Sequence, residues 1–177
     1  GSTQGRFVVS HFKPLSRALF VFLALSAGAA LAQTKVHWYG QAAFRIETPS
    51  GGVILIDPWL KVPTNPDKES IEKLTRVDYI LVTHGHWDHI GEAIEIGKKT
   101  GAVLVAPYGL QFNMKSVLGY PEDKATLATG GNVGGTIALP KAGAKVSLVN
   151  AVHGSELVPP MVKPAAPETT SVAPSVA

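Results

Sequence analysis

The chain has no cysteine among its 177 residues. That absence excludes disulfides and thiolate metal sites, so any ion it binds must be held by nitrogen and oxygen. Charge is also scarce, at 16%, whereas hydrophobic residues reach 45%. This balance supplies a core and is too apolar for a disordered chain. The length predicts one domain with appendages. The formal net charge of +3 does not belong to the body of the chain. Arg6, Lys13 and Arg17 stand in the first 32 residues without an acid, and the other 13 basic residues are matched by 13 acidic ones. No basic stripe interleaved with aromatics is left, which argues against nucleic acid as a partner. No internal repeat of fixed period stands out.

Both ends differ from the middle. "SRALFVFLALSAGAALAQ" (16–33) follows a short basic region and ends in Ala30-Leu31-Ala32, a small-x-small cleavage pattern. Residues 1–32 read as a secretory signal peptide, so the expected location is exported, periplasmic or secreted. The apolar run is short for a span of ~20 residues, and no stable membrane span is expected after cleavage. Residues 158–177 are dominated by Pro, Ala, Thr, Ser and Val without periodicity. They read as a disordered tail. The body is 33–157.

In the body, "VHWYG" (36–40), "AAFRIET" (42–48) and "GVILIDPWL" (52–60) read as a meander of strands, with "TPSGG" a tight turn. "DYILVTH" (78–84) is a buried strand. From Asp88, apolar residues at Ile90, Ala93 and Ile94, with Gly97, predict one helix running to a stop at Gly101. Asp88 fits the N-cap region of that helix. "AVLVAP" (102–107) is a strand and "YGLQFNMKSVLG" (108–119) a short helix. "TIAL" (136–139) and "AKVSLVNAVH" (144–153) close the body as strands, the last delivering His153. Strands first, then strands alternating with helices, predict an α/β arrangement on a mixed sheet.

The chemistry concentrates in "THGHWDHIGE" (83–92), which holds three of the chain's six histidines and one aspartate within six positions. On extended backbone, His84 and His86 share a face and can converge on one ion, with Gly85 leaving room between them. Asp88 and His89 lie where the chain turns into a helix and can address a neighbouring position. Nitrogen and carboxylate ligands suit Zn, with Mn or Fe as other ions such a set accepts. A metal pair lowers the pKa of bound water and polarises an ester, amide or phosphoryl oxygen. The competing reading is a loop of histidines that caps a helix and binds nothing. His153 taken alone is an ordinary surface histidine, and Asp57 in "LIDPWL" taken alone is an ordinary Asp-Pro turn.

The His-x-His-x-Asp-His pattern resembles the signature of the metallo-β-lactamase superfamily. With "WYGQAAFRIET", "GGVILIDPWL" and "DYILVTHGHWDHIGEA", residues 36–157 are similar to its branch of metal-dependent hydrolases related to ascorbate-6-phosphate lactonase and N-acylphosphatidylethanolamine phospholipase D. The resemblance implies an αββα sandwich, present here as the first half and the start of the second. It implies that His84, His86 and His153 hold a first metal and that Asp88 and His89 contribute to a second. It makes Asp88 the catalytic residue that orients the attacking water or shuttles its proton. It gives Asp57 the task of supporting the metal loop from behind the ligands. That branch usually carries histidine where this chain has Gln41. It also draws a bridging aspartate and a last histidine from the second half, and after His153 this chain has neither residue type.

The expected function is hydrolysis of an ester, lactone, amide or phosphodiester, with a small-molecule or lipid-like substrate. The alternative is a non-catalytic metal-binding remnant, the compositional change near Val158 reading as truncation or frameshift. A third possibility is an interaction domain without metal.

Overall fold

The computed structural model describes Gly1 and residues 33–154. The expected signal peptide and the Pro/Ala-rich tail lie outside the described residues. Six strands form one sheet in the order β1-β2-β3-β4-β5-β6: β1 (Lys35–Gly40), β2 (Ala43–Glu47), β3 (Val53–Ile56), β4 (Tyr79–Leu81), β5 (Val103–Pro107) and β6 (Gly130–Gly131). The first two pairings are antiparallel and the next three parallel, which is the mixed sheet expected from the order of elements. A second sheet pairs β7 (Thr136–Leu139) with β8 (Ala144–Ser147).

The apolar runs of β3, β4 and β5 are buried on both faces, as parallel strands between two layers must be. Alternation sorts their side chains. Leu55, Ile80 and Leu104 pack with Ile96 and Met114 of the helical layer. Ile54, Tyr79 and Val105 face the other way, against Ile137 and Leu139 of β7. The helices are α1 (Ser70–Lys73), α2 (Trp87–Ile90), α3 (Ala93–Thr100) and α4 (Tyr108–Ser116). Among the described residues, no helix is long and apolar enough to cross a membrane.

The sequence pattern predicts one helix over 88–101, but the structure has two. The break is at Gly91, whose φ of +43° and ψ of −124° leave the helical region. The cause is tertiary. A Cβ there would stand 2.4 Å from the Trp59 Cα and 2.6 Å from the Pro58 carbonyl oxygen. The next residue, Glu92, donates its backbone N–H to that same carbonyl at 2.9 Å. Close approach of the 58–59 backbone therefore takes one turn out of the helix. Trp87 joins the contact from the other side, edge to face with Trp59 at 4.8 Å between ring centroids. Asp88 is consequently not the N-cap. His86 occupies that place with extended backbone, and Asp88 sits in the first turn of α2.

Two further differences concern length. The strand expected over 78–84 is only three residues, so Thr83 and His84 lie on the loop beyond it. The strand expected over 144–153 ends at Ser147, and His153 arrives on irregular chain. Its approach is set by backbone bonds between residues 134–135 and Leu148. Helix α1 and strand β6 carry no sequence signal strong enough to be expected.

Substituting Gly91→Ala should lower stability by at least about 2 kcal/mol, because the new methyl meets backbone atoms and the required φ is unfavourable. Denaturant unfolding measures this, and a change under about 0.5 kcal/mol would show that the 58–59 contact does not break the helix.

Candidate metal centre

Three segments meet at the carboxyl ends of the parallel strands, where open α/β sheets place their ligands. The segment after β3 begins with Asp57, the segment after β4 carries Thr83 through His89, and His153 comes in after β8. Asp57 is 3% exposed and has a φ of +44°. That backbone conformation is uncommon for a residue other than glycine and is tolerated by aspartate. It turns the carboxylate toward the histidine loop. Its Oδ1 accepts from the Thr83 backbone N–H at 2.8 Å, and its Oδ2 accepts from the Thr83 hydroxyl at 2.8 Å. The His89 Nδ1 lies 2.9 Å from the same Oδ2.

These contacts fix where the protons sit. A carboxylate only accepts, so His89 carries its proton on Nδ1. The Thr83 hydroxyl has one hydrogen, already given to Asp57. It therefore accepts from the His84 Nδ1, which is 3.0 Å away. In the neutral form of either ring, these contacts place the lone pair on Nε2. The ring environment agrees for His84. Burial disfavours its imidazolium, the imidazoles of His89, His86 and His153 add to the effect, and the carboxylate of Asp57 opposes it less strongly. Its pKa is thus lowered from the ordinary 6.5, which keeps it in the neutral form that a ligand needs.

The His84 Nε2 points at the His86 Nδ1, 3.1 Å away. From 67 residues further along the chain, the His153 Nε2 also reaches the His86 Nδ1 at 3.1 Å. One nitrogen from each of the three rings lies within 4.8 Å of the others. Two nitrogens on a tetrahedral zinc, each 2.0–2.1 Å from it, stand about 3.3 Å apart. The spacing of the three rings fits an ion of that size, and the donor set fits zinc chemistry. Among the described residues, this is the group of three or more metal-ligating side chains close enough to share one ion.

Asp88 and His89 do not join that trio. The Asp88 Oδ2 instead accepts a short hydrogen bond from the side-chain amide of Gln41. Burial works against ionisation of Asp88, but Gln41 and the nearby imidazoles outweigh it and its carboxyl titrates below the usual range. The expected residues are therefore brought together as one trio, one flanking pair and one buried carboxylate. Thr83 and Gln41 were not among them. The only hint of Thr83 is that it directly precedes His84, and the hint of Gln41 is that it stands where the resembled branch usually carries histidine.

A cleft of about 510 Å³ opens beside the trio. Its lining includes His84 and His153 together with apolar Val105, Pro107, Val146, Leu148 and Val149.

The family profile described as "Metallo-beta-lactamase superfamily" matches residues 38–172. A UPF0173 metal-dependent hydrolase of Anaeromyxobacter sp. (strain K) is 50% identical over 128 residues, 72% of this chain and 45% of the relative. A UPF0173 metal-dependent hydrolase of Thermodesulfovibrio yellowstonii is 45% identical over 145 residues, 81% of this chain and 54% of the relative. Among solved structures, the metallo hydrolase Igni18 from Ignicoccus hospitalis superposes with a TM-score of 0.59 at 30% identity, covering 69% of this chain and 50% of that one. The fold is thus the α/β, metallo-β-lactamase-like one. The chain belongs to the metallo-β-lactamase superfamily. It spans about half the length of the curated relatives it matches.

Two outcomes follow from the site. Asp57→Asn keeps a residue suited to positive φ but removes an acceptor that two partners need. Zinc affinity, read by chelator competition, should fall about 10–100-fold, whereas unchanged affinity would leave Asp57 as a turn residue only. The second concerns pH in metal-stripped protein. Above 6.5, His84 is neutral both folded and unfolded. As the pH falls below that value, the unfolded chain takes up the proton first, so stability falls until the folded ring protonates as well. The melting temperature should therefore decline below pH 6.5, and His84→Gln should flatten the decline.

Proposed function

We propose that the chain holds a divalent ion on His84, His86 and His153 and serves hydrolysis of an ester, lactone, amide or phosphodiester. The observation that carries this reading is the convergence of three imidazole nitrogens from two distant segments on one point. Zinc is the ion the set suits best, with Mn and Fe next. His84, His86 and His153 would hold the ion, which when bound would supply Lewis-acid polarisation of a substrate oxygen and activation of water.

The remaining work falls to the chain's own residues. Asp88, ionised and beside the trio, orients the attacking water and takes its proton. His89, oriented by Asp57, flanks Asp88 and offers its Nε2 to a neighbouring second ion. The apolar cleft next to His84 and His153 accepts the hydrophobic part of a small or lipid-like substrate. The leader-like residues 1–32 go with export to the periplasm or beyond.

A second reading is a metal-binding remnant without turnover. It is favoured by the thinness of the second position, where only Asp88 and His89 contribute and neither joins the described trio. Metal content and activity separate the two. Hydrolysis requires one or two zinc ions per chain, chelator-sensitive cleavage of a generic ester or phosphodiester, and loss of that cleavage in His84→Ala. Zinc uptake without cleavage supports the remnant. Zinc at about 100 times its Kd adds about 2.7 kcal/mol of stability, so chelation should lower the melting temperature by several degrees. No metal and no thermal shift would overturn both readings.

A further inference from the structure

Gln41 sits in the turn between β1 and β2, and its φ is +46°. Such a turn ordinarily takes Asn, Asp or Gly, and a glutamine held there is strained. The preceding Gly40, with φ of +122°, is packed so tightly that a Cβ would stand 2.7 Å from the Thr64 hydroxyl and 2.9 Å from a Val62 methyl. The indole N–H of Trp38 donates to the Gln41 carbonyl at 2.9 Å. The turn is thus pinned on both sides of an exposed side chain that gains nothing from burial. That side chain reaches across 47 residues of sequence to the Asp88 Oδ2.

We infer that Gln41 is a positioning residue that acts through Asp88. Its amide N–H holds one carboxylate oxygen, so that the other is presented in one fixed orientation to the metal position and its water. A carboxylate turns easily about its last torsion, which has broad wells. A single short hydrogen bond from a pinned backbone removes that freedom. The strained turn is explained by the contact its side chain makes with Asp88. The inference rests on the metal-hydrolase reading above.

The test uses the full chain and five variants: Gln41→Gly, Gln41→His, Asp88→Ala, the double variant Gln41→Gly with Asp88→Ala, and His84→Ala as the control for the metal centre. Glycine removes the amide while relieving the backbone, so the fold is kept. Histidine tolerates positive φ better than most residues and restores an N–H donor. Zinc affinity of metal-stripped protein is read by chelator competition, and cleavage of a generic ester gives kcat and KM separately. Gln41→Gly should weaken zinc binding and lower kcat by about 10-fold or more, with KM within about twofold. Gln41→His should recover most of the loss. In the Asp88→Ala background, Gln41→Gly should add nothing, because both changes remove the same interaction. Wild-type zinc affinity in Gln41→Gly, or losses that simply add in the double variant, would overturn the inference while leaving the metal centre intact. If instead His84→Ala binds zinc as the wild type does, the metal centre itself fails, and the assignment of Gln41 fails with it.

Discussion

The site depends on one buried carboxylate. Asp57 is almost fully enclosed, and a buried charge is sustainable only where hydrogen bonds replace water. Here the replacement comes from the Thr83 backbone, the Thr83 hydroxyl and the His89 ring. All three belong to the histidine loop. Satisfying the charge and locking the loop are therefore the same event. The carboxylate sets the Nδ1 proton of His89 directly and that of His84 through the Thr83 hydroxyl, which in the neutral form of either ring places the lone pair on Nε2. Metal-ligating histidines are commonly oriented in this way by a carboxylate or hydroxyl behind them.

The same segment grips the loop a second time. Residues 58–59 press on Gly91, and the Pro58 carbonyl captures the Glu92 N–H. Lys61 completes the hold, its backbone N–H donating to the Glu92 carboxylate at 3.0 Å. The helix-forming pattern of residues 88–101 is overridden because these contacts outweigh the hydrogen bond and the turn they displace. Among the described residues, the two non-glycine positions with positive φ are Asp57 and Gln41. Both side chains end on residues of the His-x-His-x-Asp-His loop. Backbone strain in this protein is concentrated where the chemistry is, as expected when surrounding packing holds a functional geometry in place.

Much of the fold was legible in the sequence. The first three strands, β5 and α4 fall where period and turn residues put them, and the mixed sheet follows from their order. What misled the pattern was tertiary in origin: the helix over 88–101 is broken by the backbone of Pro58 and Trp59, and the last strand stops short of His153. Of the site, His84 and His86 were legible because two imidazoles with one residue between them in a short loop are a local feature of the sequence. Gln41 stood out only as the position where the resembled branch usually carries histidine; its contact with Asp88, over 47 residues, leaves no trace in local composition. Thr83 was overlooked for a related reason: its hydroxyl acquires a role only when Asp57 is placed opposite.

The sequence by itself determined the donor types, since a chain without cysteine but with three histidines and an aspartate in one short loop can offer only nitrogen and oxygen. It also determined the two-faced burial of β3, β4 and β5, because each is a continuous apolar run. Only the tertiary structure decided that His153 reaches His86, that Asp57 fixes the proton positions of His84 and His89, and that Asp88 is held by Gln41. Each of these joins residues far apart in sequence. Their geometry is set by the packing of several elements at once, and no local pattern encodes it.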